Sequence, residues 1–182
     1  MSNILVGVSG GIAVYKACDL ISKLKYLGHT TQVVMSENAE HFVSKMTFAS
    51  LTGRPVCTRL WDEAENGTID HIQISQQWAD ILLVAPATAN IIGKFANGIA
   101  DDYLTTIYMA TTAQKVICPA MNTEMYKSNA VQRNLKTLFT DGCEIITPDE
   151  GRLACGTVGI GKLAASDKII AGLKLGYPSG AI

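Results

Sequence analysis

The sequence predicts an α/β fold, a doubly wound parallel sheet with helices on both faces. Three observations predict it. Short runs such as "NILVGV" and "ADILLVAP" are apolar at successive positions, amphipathic helical patterns separate them, and small turn residues mark each change from one to the other. Strands that are hydrophobic on both sides must be covered on both sides, and helices between parallel strands supply that cover.

The elements follow in order. After "NILVGV", a helix is expected over 12–27, where Ile12, Ala13, Lys16, Ala17, Leu20, Ile21, Leu24 and Leu27 recur at helical spacing. Lys16 is the lone polar intrusion on that face, and Gly28 supplies the stop. Next come a strand "TTQVVM", a helical stretch over 37–51, the strand "ADILLVAP" and helices through about residue 110. A strand "QKVICP", a helix over 123–139 and a strand "CEIIT" complete the regular part. Residues 148–164 carry four glycines without a clear period and read as a long loop, either a binding lid or a surface excursion. A short helix "SDKIIAGL" closes the chain. At 182 residues one domain is expected, over 1–175, with 176–182 as a tail or linker.

Composition narrows the function classes. With 48% hydrophobic and only 17% charged residues, much of the surface is expected to be covered, self-association being the first candidate. Fifteen basic against sixteen acidic residues, with no basic run, argue against a nucleic-acid partner. The five cysteines are scattered and lack metal-site spacing, as expected for a reducing compartment and a chain that needs no metal. No apolar run approaches the ~20 residues that span a bilayer, so a soluble, cytoplasmic protein with no membrane partner is expected.

In open α/β sheets ligands bind beyond the carboxyl ends of the strands. The first such end, "GVSGGIA", sets Ser9, Gly10 and Gly11 at a helix start, suited either to close packing or to an anion. The second brings Ser36, an N-cap or a ligand contact. The third, "VAPATANIIGKFANGIADD", offers Thr88 and Asn90 among small residues, followed by Asp101 and Asp102, which read as caps. The fourth, "CPAMNTEMY", brings Ala120, Asn122 and the Met121/Met125 pair; Asn122 reads as an N-cap or a carboxylate contact, the methionines as core. His71, in "DHIQIS", is the one histidine without an obvious surface context, and it reads as structural or catalytic.

Taken together, "SGGIAVYK", "DHIQIS", "PATANIIGKFANGIADD", "PAMNTEMY" and "GRLACGTVGIGKLA" resemble the homo-oligomeric flavin-containing cysteine decarboxylases over almost the whole chain. The resemblance runs most closely to members that act on 4'-phosphopantothenoylcysteine in coenzyme A biosynthesis. It implies a Rossmann/flavodoxin-like flavoprotein domain with FMN at the strand ends, held by Ser9, Gly10, Gly11, Ile12, Ala13, Ser36, Thr88, Ala89, Asn90, Ile91 and Ala120. It further implies His71 as acid/base residue, Asn122 as the holder of the departing carboxylate, and Cys155 as proton donor in the final reduction. Met125 and Lys162 would meet substrate. The implied reaction oxidises the substrate's cysteine side chain to a thioaldehyde, so that the electrons left by CO2 delocalise onto sulfur as an enethiolate before reduction to 4'-phosphopantetheine. A homotrimer or dodecamer is implied, with His71 acting on a neighbour's flavin, as is fusion to or association with a phosphopantothenoylcysteine synthetase.

Two positions depart from the family pattern, Tyr126 for tryptophan and Lys162 for arginine. The alternatives are a peptidyl-cysteine (lantibiotic) decarboxylase and a non-catalytic flavin-binding regulator of the same family. Flavin prenyltransferases share the fold but lack the "PAMN" and clamp motifs.

Overall fold

The computed structural model describes residues 1–59, 71–154, 156–173 and 175, so Cys155 and the expected tail at 176–182 lie outside the described residues. Five strands form one wholly parallel sheet: β1 (Asn3–Val8), β2 (Thr30–Met35), β3 (Ile81–Ala87), β4 (Gln114–Pro119) and β5 (Glu144–Ile145). Their spatial order is β2-β1-β3-β4-β5. β1 is flanked by β2, with Asn3 opposite Thr30, and by β3, with Ile4 opposite Ile81. The winding direction therefore reverses between β1 and β3, and a crevice opens at their carboxyl ends.

Side chains alternate between the two faces of each strand, and each face has its own core. Ile4, Val6, Val33 and Leu83 point to the side covered by α1 (Val14–Tyr26) and α2 (Lys45–Thr52). Leu5, Val34, Leu82 and Val84 point to the other, covered by α3 (Ala89–Ala96), α4 (Tyr103–Ala110) and, after the short α5 (Thr123–Lys127), by α6 (Asn129–Thr140). α7 (Ser166–Gly172) returns to pack Ile169 and Ile170 beside α1. The doubly wound architecture is the one the apolar strands predict.

Several element boundaries differ from the sequence expectation, each for a local reason. The first helix begins at Val14, so Ile12 belongs to the turn and is 60% exposed. The stretch over 37–51 divides into a 3-10 turn, Glu37–His41, and α2, whose start is fixed by Ser44 accepting from Met46 N at 3.2 Å. The helix expected over 123–139 divides at Ser128, which leaves the helical conformation at ψ 140° and caps α6 through Val131 N. Only Glu144 and Ile145 of "CEIIT" pair in the sheet.

The largest difference is at 148–164. These residues form an antiparallel hairpin, β6 (Asp149–Arg152) and β7 (Val158–Lys162), rather than an irregular loop. Its glycines, which obscure any strand period, are what let it dock. A Cβ on Gly159 would stand 2.6 Å from Thr123 Oγ1, and one on Gly161 (φ +136°) would stand 2.3 Å from Met121 O. In that space Met121 N donates to Gly161 O at 2.9 Å. At its base, Asp149 accepts from Lys168 Nζ and Ala165 N, both at 2.8 Å, tying the hairpin to α7.

Gly161→Ala is expected to destabilise the chain more than Gly53→Ala, whose glycine ends α2 at φ +71° with open space around its Cβ position. Left-handed strain alone costs about 1–2 kcal/mol, and the Gly161 variant adds a backbone clash. Thermal unfolding checks the order, with about 2–4 °C per kcal/mol in a chain of this size.

Candidate active site at the carboxyl edge of the sheet

Two strand-to-helix turns meet where the winding reverses. Ser9, 1% exposed at the end of β1, donates from Oγ to Pro86 O at 2.8 Å and accepts from Thr88 N at 3.0 Å. Thr88 in turn caps α3, its Oγ1 accepting from Ile91 N at 3.3 Å. One hydroxyl thus joins both turns. Gly10 lies against the 3-10 turn so closely that a Cβ would stand 2.5 Å from Asn38 Cβ and 2.6 Å from its carbonyl carbon. Any larger residue there would push the first turn off the second strand's end.

A cavity of about 1200 Å³ opens over these turns. Its floor is Ser9, Gly10, Gly11, Ile12 and Ala13 from the first turn, Ser36 from the second strand end, and Thr88, Ala89, Asn90 and Ile91 from the third. Ala120, Met121, Asn122 and Met125 bring the fourth strand end to it. Arg152, Leu153, Ala154, Gly161 and Lys162 bring the hairpin over it. Ser36 is 7% exposed; its N donates to Val8 O at 3.0 Å, while its Oγ is buried with no hydrogen-bond partner among the described residues. It stands at the start of the 3-10 turn but does not cap it through its side chain. Asn122 does cap α5, Oδ1 accepting from Glu124 N at 2.8 Å, which fixes the carboxamide at the cavity edge. Met125, read as core from its spacing and as a substrate contact from the resemblance, is 49% exposed and lines the cavity.

Charge is distributed unevenly around the rim. Lys94 Nζ binds Asp101 Oδ1 at 2.7 Å and lies 3.7 Å from Asp102, which also caps α4 by accepting from Thr105 N at 2.7 Å. The hydrogen bond to Asp101 holds Lys94 above the ordinary lysine pKa, and the same bond holds Asp101 below the usual carboxylate range. Lys16 moves the other way: burial, then the nearby charge of Lys162, push its ammonium down, with Asp149 opposing.

The cavity gathers Ser9 to Ala13, Ser36, Thr88 to Ile91, Ala120, Asn122, Met125 and Lys162 at one edge. His71 is not among the described residues that line it. It is half-buried ahead of a π-helical turn, Gln73–Trp78, its carbonyl accepting from Ser75 Oγ. Cys155 lies outside the described residues. Lys16, Asn38, Thr58 and Arg152 also line the cavity and were not among the residues singled out as a site. For Lys16 a signal existed, a cation on an otherwise apolar helix face; for Asn38 and Thr58 the approach is tertiary.

The Flavoprotein family model matches residues 1–174. The chain belongs to that family. It is 52% identical over 168 residues to the coenzyme A biosynthesis bifunctional protein CoaBC of Bacillus subtilis (strain 168), covering 92% of this chain and 41% of that protein. The chain thus spans about two-fifths of that relative's length. A solved PPC decarboxylase mutant complexed with pantothenoylaminoethenethiol superposes with a TM-score of 0.83 at 28% identity, over 95% of this chain and 96% of the other. The FMN binding protein AtHal3 superposes at 0.80 with 30% identity, over 100% and 99%.

Two serines of this flavoprotein's cavity separate structural from ligand-facing hydroxyls. Ser9→Ala leaves Thr88 N without its partner and Pro86 O with only the Ser9 amide at 3.2 Å, and is expected to cost about 1–3 kcal/mol. Ser36→Ala removes a hydroxyl that has no partner, so the unliganded protein is expected to lose no stability. Urea midpoints of the two variants check the contrast.

Proposed function

We propose that this chain is the FMN-dependent decarboxylase of 4'-phosphopantothenoylcysteine, forming 4'-phosphopantetheine in coenzyme A biosynthesis. The observation that carries the reading is the single cavity at the carboxyl edge, in which the two glycine-rich and small-residue turns, the unpartnered Ser36 hydroxyl, Asn122 and the hairpin converge. The 52% identity to a bifunctional coenzyme A biosynthesis protein supports this substrate over a peptidyl cysteine.

The residues fit FMN on structural grounds. Ser36 Oγ is a buried hydroxyl in need of a partner. Gly11, Ile12 and Ala13 line the cavity just ahead of α1, whose cap makes no side-chain hydrogen bond, and helix starts favour phosphate. Small residues at Ala89 and Ala120 let a flat ring come close. Bound there, FMN supplies reversible two-electron chemistry at the carbon bearing sulfur. The protein's part is to bind, orient and move protons. Asn122, its carboxamide fixed by the Glu124 amide, holds the carboxylate that leaves as CO2. Met125 and Lys162 bound the rest of the substrate. His71 is the acid/base residue at the oxidation and decarboxylation steps. Cys155 protonates the enethiol carbon before the saturated product is released.

His71 is not among the described residues that line its own chain's cavity, which supports an oligomer, a trimer or a dodecamer, in which it acts on the neighbouring chain's site. Fusion to or association with the synthetase belongs to the same reading, as does a cytoplasmic location.

Purified protein is expected to be yellow and to convert 4'-phosphopantothenoylcysteine to the saturated thiol; turnover of peptide substrates alone overturns the reading. His71→Asn is expected to abolish CO2 release while keeping the flavin spectrum. Cys155→Ser is expected to release CO2 and stall at the unsaturated thiol, read by mass spectrometry.

A further inference from the structure

The segment that carries His71 is wound in an uncommon way. His71 and Ile72 are helical, and the next six residues form the π-helix Gln73–Trp78, closed by Ala79 N donating to Ile74 O at 3.1 Å. An i→i+5 bond encloses one residue more than the α-helical bond, which rotates His71 relative to the chain that follows. The last carbonyls of such a turn have no partner within it. Asp80 N, the amide that would continue the ladder to Ser75 O, donates instead to Asn3 O at 2.9 Å.

Ser75 is 0% exposed, so water cannot satisfy its carbonyl. Thr111, also buried, supplies the donor, its Oγ1 lying 2.7 Å from Ser75 O. Beside it Thr112 Oγ1 donates to Gln76 O at 3.4 Å, and Gln76 Nε2 donates to Ala110 O at 3.1 Å. The link between α4 and β4 thus closes the end of the π-helix. Ser75 passes the constraint on, because its own Oγ donates to the carbonyl of His71. The carbonyl and the hydroxyl of one serine join Thr111 to the His71 backbone.

Thr111 is itself firmly placed. Its N donates to Ile107 O at 3.0 Å and its Oγ1 accepts from Ala113 N at 3.1 Å, so it ends α4 and leads into β4. α4 starts at the cavity wall, where Asp102 caps it, and its eight residues span about 12 Å. Neither Ser75 nor Thr111 is among the residues that line the cavity. A change at either therefore reaches His71 without altering a cavity side chain.

We propose that Thr111 is a positioning residue for His71, its hydroxyl fixing the end of the π-helix and, through Ser75, the backbone that presents the imidazole. This deepens the decarboxylase reading and rests on His71 as its acid/base residue. Neither hydroxyl touches substrate or carries a proton in the reaction. Their effect is on distance, and a displacement of about 1 Å at a reacting group can cost roughly a hundredfold in rate.

Turnover of 4'-phosphopantothenoylcysteine by the flavin-loaded full chain is measured well below the melting midpoint of each variant, with flavin content read from the visible spectrum. Thr111→Val keeps the shape and removes the donor; Ser75→Ala removes only the link to His71. Each is expected to lower kcat about tenfold or more with KM and flavin content unchanged, and Thr111→Ser to recover the wild-type kcat. Should Thr111→Val fail to fold, Ser75→Ala, which places a better helix former in a helix, decides alone. A wild-type kcat in either variant overturns the proposal, as does a loss that accompanies lost flavin or that Thr111→Ser does not recover. If His71→Asn is inactive while both variants turn over normally, the positioning role alone falls. If His71→Asn turns over normally, the acid/base reading falls and the proposal with it.

Discussion

The Ser9 hydroxyl holds together the part of the molecule on which the cavity depends. A parallel sheet delivers its strand ends to one edge, but nothing in sheet pairing fixes the turns that follow them. Here one buried oxygen donates to the carbonyl of Pro86 and accepts from the amide of Thr88, so the turn after β1 and the turn after β3 move as a unit. Thr88 then caps α3, which carries that constraint into a helix axis. Gly10 adds contact with Asn38 on the other side, and the three turns over the crevice become one surface.

The roof is held by a different means. The hairpin shares no ladder with the main sheet. It is attached by a backbone hydrogen bond from Met121 to Gly161, by glycines that admit Thr123 and the Met121 carbonyl, and by Asp149 at its base. Lys168 holds the Asp149 carboxyl below its ordinary range, so this tie is complete at neutral pH and weakens as acid protonates it.

The fold was legible because its strands carry runs of consecutive apolar residues and its first helix keeps helical period apart from Lys16. Ile4, Leu5 and Val6 have to be buried on both sides of a sheet, whichever residues cover them. Strand ends were legible as candidate sites for the same reason, since a parallel sheet brings them to one edge. What was not legible depended on contacts distant in sequence. The hairpin's glycines read as irregularity because their reason is Thr123 and Met121, tens of residues away. The break at Ser128 turned on one serine choosing to cap rather than continue. Asn38 and Thr58 reach the cavity only through packing, and no local pattern marks them.

Lys16 shows how a local inconsistency in sequence can carry tertiary information. A cation at a core-facing period breaks the pattern of α1, and sequence patterns tend to break where function competes with packing. In the structure its stem is half-buried while its ammonium reaches the cavity, disfavoured by burial and by Lys162. Replacing it with an apolar residue would suit the helix better, and the same holds for the unpartnered hydroxyl of Ser36. Both side chains make sense only once something fills the space they face. Ser9, by contrast, is polar, buried and satisfied, so it belongs to the scaffold even though it borders the same cavity. Between these two serines, satisfaction of the hydroxyl is therefore what separates the one that joins the turns from the one that faces the cavity without a partner among the described residues.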